Sequence, residues 1–264
     1  MTQNEETVLA ERRGPVLLLT LNRPERLNAW NDELEWRYFA LLDEAEADPD
    51  VRAIVVTGAG KGFCGGADLG VLQEVSNADE VGPVERARPR TFPLTVRKPM
   101  IAAINGAAAG LGLVEALYCD IRFSVPDAKL TTAFARRGLI AEYGIAWLLP
   151  RLIGTSRALD MLMSGRIVKG EEAWAFGLVD KVVEPDALLD AAVGYATELA
   201  TLCSPTSMSV IKQQVMRALD SDFTTAVTEA DDLMVASFNH PDAAEGVTSY
   251  LERRPPAFRP LGAR

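Results

Sequence analysis

The stretch AIVVTGAGKGFCGGADL, residues 53 to 69, decides how this chain is read. AIVVTG, 53 to 58, is a short apolar run closed by glycine, the pattern of a buried strand. The glycines after it let a backbone approach a ligand closely. Asp68 then reads as the cap of a helix starting at Leu69. A second stretch has the same grammar: MIAAI, 100 to 104, is a strand, NGAAAGLGL, 105 to 113, is the turn, and a helix spans 111 to 118. Where such a turn enters a helix, the first N–H groups lack intrahelical partners. They can donate to an oxygen, aided by the positive end of the helix dipole. Two such turns side by side could aim two N–H groups at one oxygen. Each turn alone is weak evidence, because tight turns also serve simply to pack strands onto helices. The first lacks the GK[ST] ending of a phosphate loop, and neither carries a complete dinucleotide fingerprint.

Outward from these turns the chain alternates strand and helix, which indicates an α/β core. VLLLTL, 16 to 21, is a strand entering the turn NRPE. Asn31 and Asp32 cap a helix to about Glu46, with Leu34, Tyr38, Leu41 and Leu42 at helical spacing. Residues 76 to 99 lack periodicity and read as a mobile loop carrying Arg86, Arg88, Arg90, Arg97 and Lys98. CDIRFSV returns as a strand, and 144 to 163 are mostly helical. From about residue 186 strands stop, and SPTS, 204 to 207, caps a helix. The expected division is a core over 1–200 and a helical segment over 201–264.

The formal net charge of -10 argues against a general nucleic-acid or anionic-membrane surface. No run approaches 18 apolar residues, so no membrane span is expected. The opening MTQNEET lacks the basic and apolar regions of a signal peptide. Cys64, Cys119 and Cys203 are scattered, with neither metal spacing nor a disulfide framework, and suit a reducing cytoplasm.

Taken in order, LNRPERLNAW, AIVVTGAGKGFCGGADL, KPMIAAINGAAAGLGLVEALYCDIRF and RLIGTSRALDMLMSGRIVKGEEAWAFGLVDKVV resemble the crotonase family of enoyl-CoA hydratases, isomerases and relatives, over about residues 8 to 260. The resemblance implies a crotonase-like spiral of ββα units followed by a helical oligomerisation segment. It implies a homo-oligomer (a trimer or a dimer of trimers) and an acyl-CoA thioester substrate. Coenzyme A is then part of the substrate, with no separate cofactor and no metal. The two N–H groups that polarise the thioester carbonyl match Ala67 and Leu111, where leucine replaces the usual glycine. Gly65, Gly66, Asp68, Leu69 and Gly110 flank those donors, and Arg26 matches a contact to the nucleotide phosphates. Phe134, Leu139 and Tyr143 match the lining of the acyl pocket, and Phe258 and Arg259 match a tail that completes a neighbouring subunit's site.

The sequence departs from the family's hydratases at both of their glutamate positions, which hold Val114 and Phe134. Glu115 lies about 100° round the helix from Val114 and is expected to be a paired or partly solvated structural group. Glu142, in GLIAEYG, resembles the single glutamate of some family isomerases and the aspartate of benzoyl-CoA dehalogenases. One base there suits a 1,3-proton shift; otherwise Glu142 caps the following helix and faces water. His240, the sole histidine, reads as a surface turn. Double-bond isomerisation with Glu142 as base is the preferred expectation. A hydratase with modified carboxylate geometry, and a CoA-binding scaffold closed by Leu111, Phe134 or Arg136, are the alternatives.

Overall fold

A computed structural model describes residues 6–68, 70, 73, 82 and 86–262. Leu69 and most of the segment 71 to 85 lie outside the described residues, so the expected contact at Leu69 and the first part of the expected loop do too.

Over residues 53–131, successive strands are dealt alternately to two sheets. The first holds β1 (Val8–Arg13), β2 (Val16–Leu21), β3 (Ala53–Gly58), β5 (Met100–Ile104), β7 (Ile121–Ser124) and β10 (Lys181–Val182), in that spatial order. Apart from the β1–β2 hairpin its pairs are parallel. The second holds β4 (Gly62–Cys64), β6 (Ala107–Ala109), β8 (Lys129–Thr131) and β9 (Val168–Lys169). Here β4, β6 and β8 are parallel and β9 is antiparallel. Thus β3–β4, β5–β6 and β7–β8 are three turns of one spiral, each giving one strand to each sheet. The expected ββα order is what the chain forms.

Burial explains the longer strands. Every residue of β3 and β5 is buried, as a parallel sheet covered on both faces requires. α1 (Asp32–Ala47) starts at Asn31, whose side chain accepts from the Leu34 N–H, and it covers this sheet with Leu34, Tyr38, Leu41 and Leu42. α2 (Leu111–Tyr118) is buried on all sides. α3 (Ile145–Ile153) and α4 (Thr155–Ser164) fill the stretch expected to be mostly helical, separated by Gly154 at φ 80°. α5 (Gly170–Ala175) and α6 (Leu188–Leu202) complete the core. α7 (Pro205–Ala218), capped by Ser204, leads to α8 (Phe223–Phe238) and α9 (Pro241–Glu252). α8 buries no residue and leaves Phe223 and Phe238 largely exposed. Among the described residues no helix is long and apolar enough to cross a membrane.

The described part of the expected mobile loop is pinned instead. Arg86 and Arg90 pair with Glu35, Arg88 with Asp43, and Arg97 with Glu46. Lys98 donates its ammonium to the carbonyls of Ala45 and Asp48, at the C-terminal end of α1. Each basic residue found its acidic or carbonyl partner on α1 or at its end, a long-range match that sequence periodicity does not encode.

Candidate active site

The two glycine turns meet because β4 and β6 are paired neighbours. Gly66 has φ 95°, and a Cβ added there would stand 2.6 Å from the Ala109 carbonyl oxygen and 3.8 Å from the Leu111 nitrogen. Only glycine tolerates both that backbone and that approach. Gly112 closes the same seam, since a Cβ on it would collide with the Cys64 carbonyl.

Ala67 forms an isolated parallel bridge with Trp30. The bonds of that bridge belong to its neighbours: Trp30 N–H donates to the Gly66 carbonyl at 2.7 Å, and Asp68 N–H to the Trp30 carbonyl at 2.9 Å. The Ala67 N–H therefore faces away from Trp30. Leu111 is the first residue of α2, with Gly110 as its N-cap, so its N–H has no intrahelical acceptor. The Gly110 N–H is satisfied by the Thr131 carbonyl at 2.9 Å.

The LNRPERLNAW segment braces the first turn from behind. Asn28 is fully buried, and its side-chain amide donates to the carbonyls of Ala59, Gly62 and Phe63. The Gly65 N–H donates to the Leu27 carbonyl at 2.8 Å. Arg23 donates to the Ala29 carbonyl and to Asp68 at 2.9 Å, so its charge is already engaged. Asp68 also accepts from the Gly70 N–H at 3.0 Å, the geometry of a cap, and these donors hold its carboxyl below the usual range. Arg26 is exposed at the end of a short 3-10 turn, Pro24–Arg26, and remains available to an anion.

Val114 is fully buried in α2 and Phe134 is 5% exposed, its ring beside Gly110. Leu139 and Tyr143 are partly buried against the core. Arg136 is exposed and donates to the Ser164 carbonyl. His240 caps α9 by accepting from the Asp242 N–H, as a surface turn would. Phe258 packs beside Gly246 and its carbonyl accepts from Arg52. Arg259 donates its N–H to Asp242.

Glu142 does not cap α3: the N-cap is Gly144, and no side chain bonds to the first turn. Its half-buried carboxyl is pushed upward by burial, opposed by the neighbouring Tyr143 hydroxyl and by the Arg90 charge. Tyr143 sits at φ 56°, a conformation uncommon for a bulky residue. Its carbonyl is held by the Tyr118 hydroxyl at 2.6 Å and its own hydroxyl by Arg90 at 2.8 Å.

Glu115 corrects the expectation of a paired or partly solvated group. It is 3% exposed, and neither carboxyl oxygen has a hydrogen-bond partner. Burial first, and then the nearby Glu35 charge, raise its pKa well above the ordinary 4.5. The reason is that α2 has no polar face at all, so a residue turned away from position 114 still meets protein. Glu35, Arg90 and Tyr118 were given no role by sequence reasoning; a carboxylate at position 35, within the apolar face of α1, is the mark that could have drawn attention to it. Among the described residues no group of three His, Cys, Asp or Glu side chains is placed to hold a metal ion.

The chain is similar to proteins already known. A family profile described as enoyl-CoA hydratase/isomerase matches residues 11–260. The 1,2-epoxyphenylacetyl-CoA isomerase of Escherichia coli is 37% identical, with 96% of this chain and 98% of that protein covered. A probable enoyl-CoA hydratase of Mycobacterium bovis is 33% identical at the same coverage. The crystal structure of a probable enoyl-CoA hydratase/isomerase from Mycobacterium abscessus superposes with a TM-score of 0.89 at 30% identity, covering 96% of this chain and 99% of that one.

Proposed function

Because the chain belongs to the enoyl-CoA hydratase/isomerase family, we propose that it moves the double bond of an enoyl-CoA thioester, with Glu142 as the one proton carrier. The thioester oxygen accepts from the Ala67 and Leu111 N–H groups, which lowers the cost of the enolate. The Glu142 carboxylate takes a proton from C2, the electron pair moves toward the thioester oxygen, and the same proton returns at C4. The double bond shifts from C3–C4 to C2–C3, and Glu142 ends as it began. One base serves as its own conjugate acid. Partial burial raises Glu142 toward the range useful for such exchange.

The observation that carries this reading is the pair Val114 and Phe134, both buried and neither able to exchange a proton. A hydratase needs two groups to activate water and protonate carbon, whereas a 1,3-shift needs one. Glu115 does not fill the gap in this reading, since it lies about 100° round the helix from position 114. The relative named as 1,2-epoxyphenylacetyl-CoA isomerase supports isomerisation of an acyl-CoA in general, its named substrate being an epoxide rather than an enoyl thioester. Hydration through Glu142 is the second reading, favoured by the relatives named as hydratases.

Gly65, Gly66, Asp68, Leu69 and Gly110 shape the carbonyl site in this reading; Phe134, Leu139 and Tyr143 line the acyl chain, and Arg26 meets a CoA phosphate. No metal or separate cofactor takes part. The exposed apolar residues of α8 and α9, among them Phe238, Tyr250 and Leu251, are proposed as subunit contacts of a homo-oligomer. Residues 1–200 form the catalytic core and 201–264 the assembly segment. Unpaired cysteines suit a cytoplasmic location.

The test is to incubate the protein with 3-enoyl-CoA and 2-enoyl-CoA and separate the products by mass. Isomerisation leaves mass unchanged, whereas hydration adds one water. Glu142→Gln keeps the shape and removes the base, so turnover should fall by roughly two to four orders of magnitude while thioester binding survives. Undiminished turnover in that variant rejects the assignment.

A further inference from the structure

α2 begins at Leu111 with no side-chain cap, so its first turn is held by backbone bonds. The Gly110 carbonyl accepts from the Leu113 and Val114 N–H groups, both at 3.1 Å. The Leu111 N–H belongs to the same planar peptide unit, so it points the opposite way, out of the helix end. Gly110 sits at φ 51° and, without a Cβ, is free to leave that conformation unless something holds it. Its own N–H is held by the Thr131 carbonyl at 2.9 Å, at the end of the β6–β8 ladder. Thr131 is itself clamped. Its hydroxyl donates to the Gly165 carbonyl at 3.0 Å and accepts from the Ala133 N–H at 3.2 Å. Beside it, the hydroxyl of the fully buried Thr132 donates to the Met161 carbonyl at 2.7 Å. Both acceptors lie at the C-terminal end of α4.

A carbonyl only accepts, so each threonine hydroxyl directs its one proton to α4, and the Thr131 oxygen is left to take the Ala133 N–H. That bond helps hold Ala133 at φ 55°, where a residue with a Cβ is uncommon. Ala133 leads directly into Phe134, whose ring comes within 3.9 Å of where a Gly110 Cβ would stand. Printed contacts therefore run without a gap from the end of α4, through the two threonines, to both the N–H and the open side of Gly110. We propose that Thr131 and Thr132 are positioning residues: they fix the Thr131 carbonyl, which fixes Gly110 and so the aim of the Leu111 N–H at the thioester oxygen. This rests on the Leu111 N–H being a donor to that oxygen.

A merely structural role, satisfying the carbonyls that end α4, predicts a loss of stability alone. The probe that separates the two is hexanoyl-CoA labelled with ¹³C at its carbonyl, which has no double bond to move. On the wild-type protein its carbonyl infrared band should lie below its position in water, because aligned donors polarise the C=O bond. Thr131→Val keeps the shape and removes the hydroxyl, so the band should return toward its position in water. With 3-hexenoyl-CoA, kcat of that variant should fall roughly tenfold, short of the roughly 10²–10³ that follows outright deletion of such a donor. Thr131→Ser restores the hydroxyl and should restore both the band and kcat. Thr132→Val should move the band in the same direction, and it carries the test if Thr131→Val does not fold. If the wild-type band matches that in water, the carbonyl donors lie elsewhere and the positioning role falls with them. If the wild-type band is shifted and Leu111→Pro abolishes the shift, but the folded threonine variants keep the wild-type band, the positioning role alone is refuted.

Discussion

Replacing Glu115 by leucine is expected to stabilise the protein, and by more as pH rises. The wild-type carboxyl is buried in α2 with both oxygens unpartnered. Leaving a buried polar group unsatisfied costs about 1–3 kcal/mol, and an apolar group of similar volume removes that cost. This part of the gain does not depend on pH. The second part does. The folded-state pKa lies above the ordinary 4.5, so the unfolded chain releases its proton first as pH rises. The stability linked to this group is fully present below the unfolded value and is lost as pH climbs toward the folded one. In that window one proton separates the two states, so wild type loses about 1.4 kcal/mol per pH unit through this group. Leucine carries no such slope. Urea unfolding of both proteins, followed by tryptophan fluorescence at one protein concentration, from about pH 5 to pH 7, reads the difference directly. Turnover should be unaffected. A stability difference that stays flat over that range, or a variant less stable throughout, would refute the account of a neutral, unpartnered carboxyl.

Leu111→Pro deletes a backbone donor while proline is tolerated at the first position of a helix, so turnover should vanish with the helical circular dichroism preserved. Normal turnover in that variant would remove Leu111 from the proposed carbonyl site. Asn28→Asp turns an acceptor toward three carbonyls that now receive donors; chemical unfolding should show a loss of more than about 2 kcal/mol, and a loss near zero would contradict the brace described for the first glycine turn. Sedimentation at micromolar concentration should show an oligomer, and Phe238→Asp should shift it toward monomer; a monomeric parent protein would leave the exposed apolar residues of α8 without their proposed partner.

The sequence made the long buried strands legible because burial on both faces leaves an unbroken apolar run, as in AIVVTG and MIAAI. It hid β1, where among VLAERR only Val8 is buried and no run forms. It also hid β4 and β6, because three-residue strands inside glycine-rich stretches carry no period to count. Those strands are the ones that bring the two turns together. At the site, helix spacing puts Glu115 about 100° round from Val114. It did not foresee that every direction around α2 is buried, since that depends on what packs there rather than on spacing.

Glu35 shows why the missing part is a matter of contacts. Its carboxylate accepts from the indole of Trp30, whose backbone bonds to Gly66 and Asp68 and so sets the direction of the Ala67 N–H. It accepts also from Arg90, which holds Tyr143 beside Glu142. The proposed oxyanion donor and the proposed base come from segments 75 residues apart, one before and one after the second turn. A proton transfer at C2 needs both at once, in register with one thioester. In this fold the segments that carry the two both meet Glu35, a buried carboxylate on the first turns of α1. A disturbance at Glu35 would therefore reach the backbone beside Ala67 through Trp30 and the Tyr143 side chain through Arg90. This coupling lies in three side-chain contacts across four chain segments. It leaves no trace in the local pattern of any one of them, apart from a carboxylate where the face of a helix should be apolar.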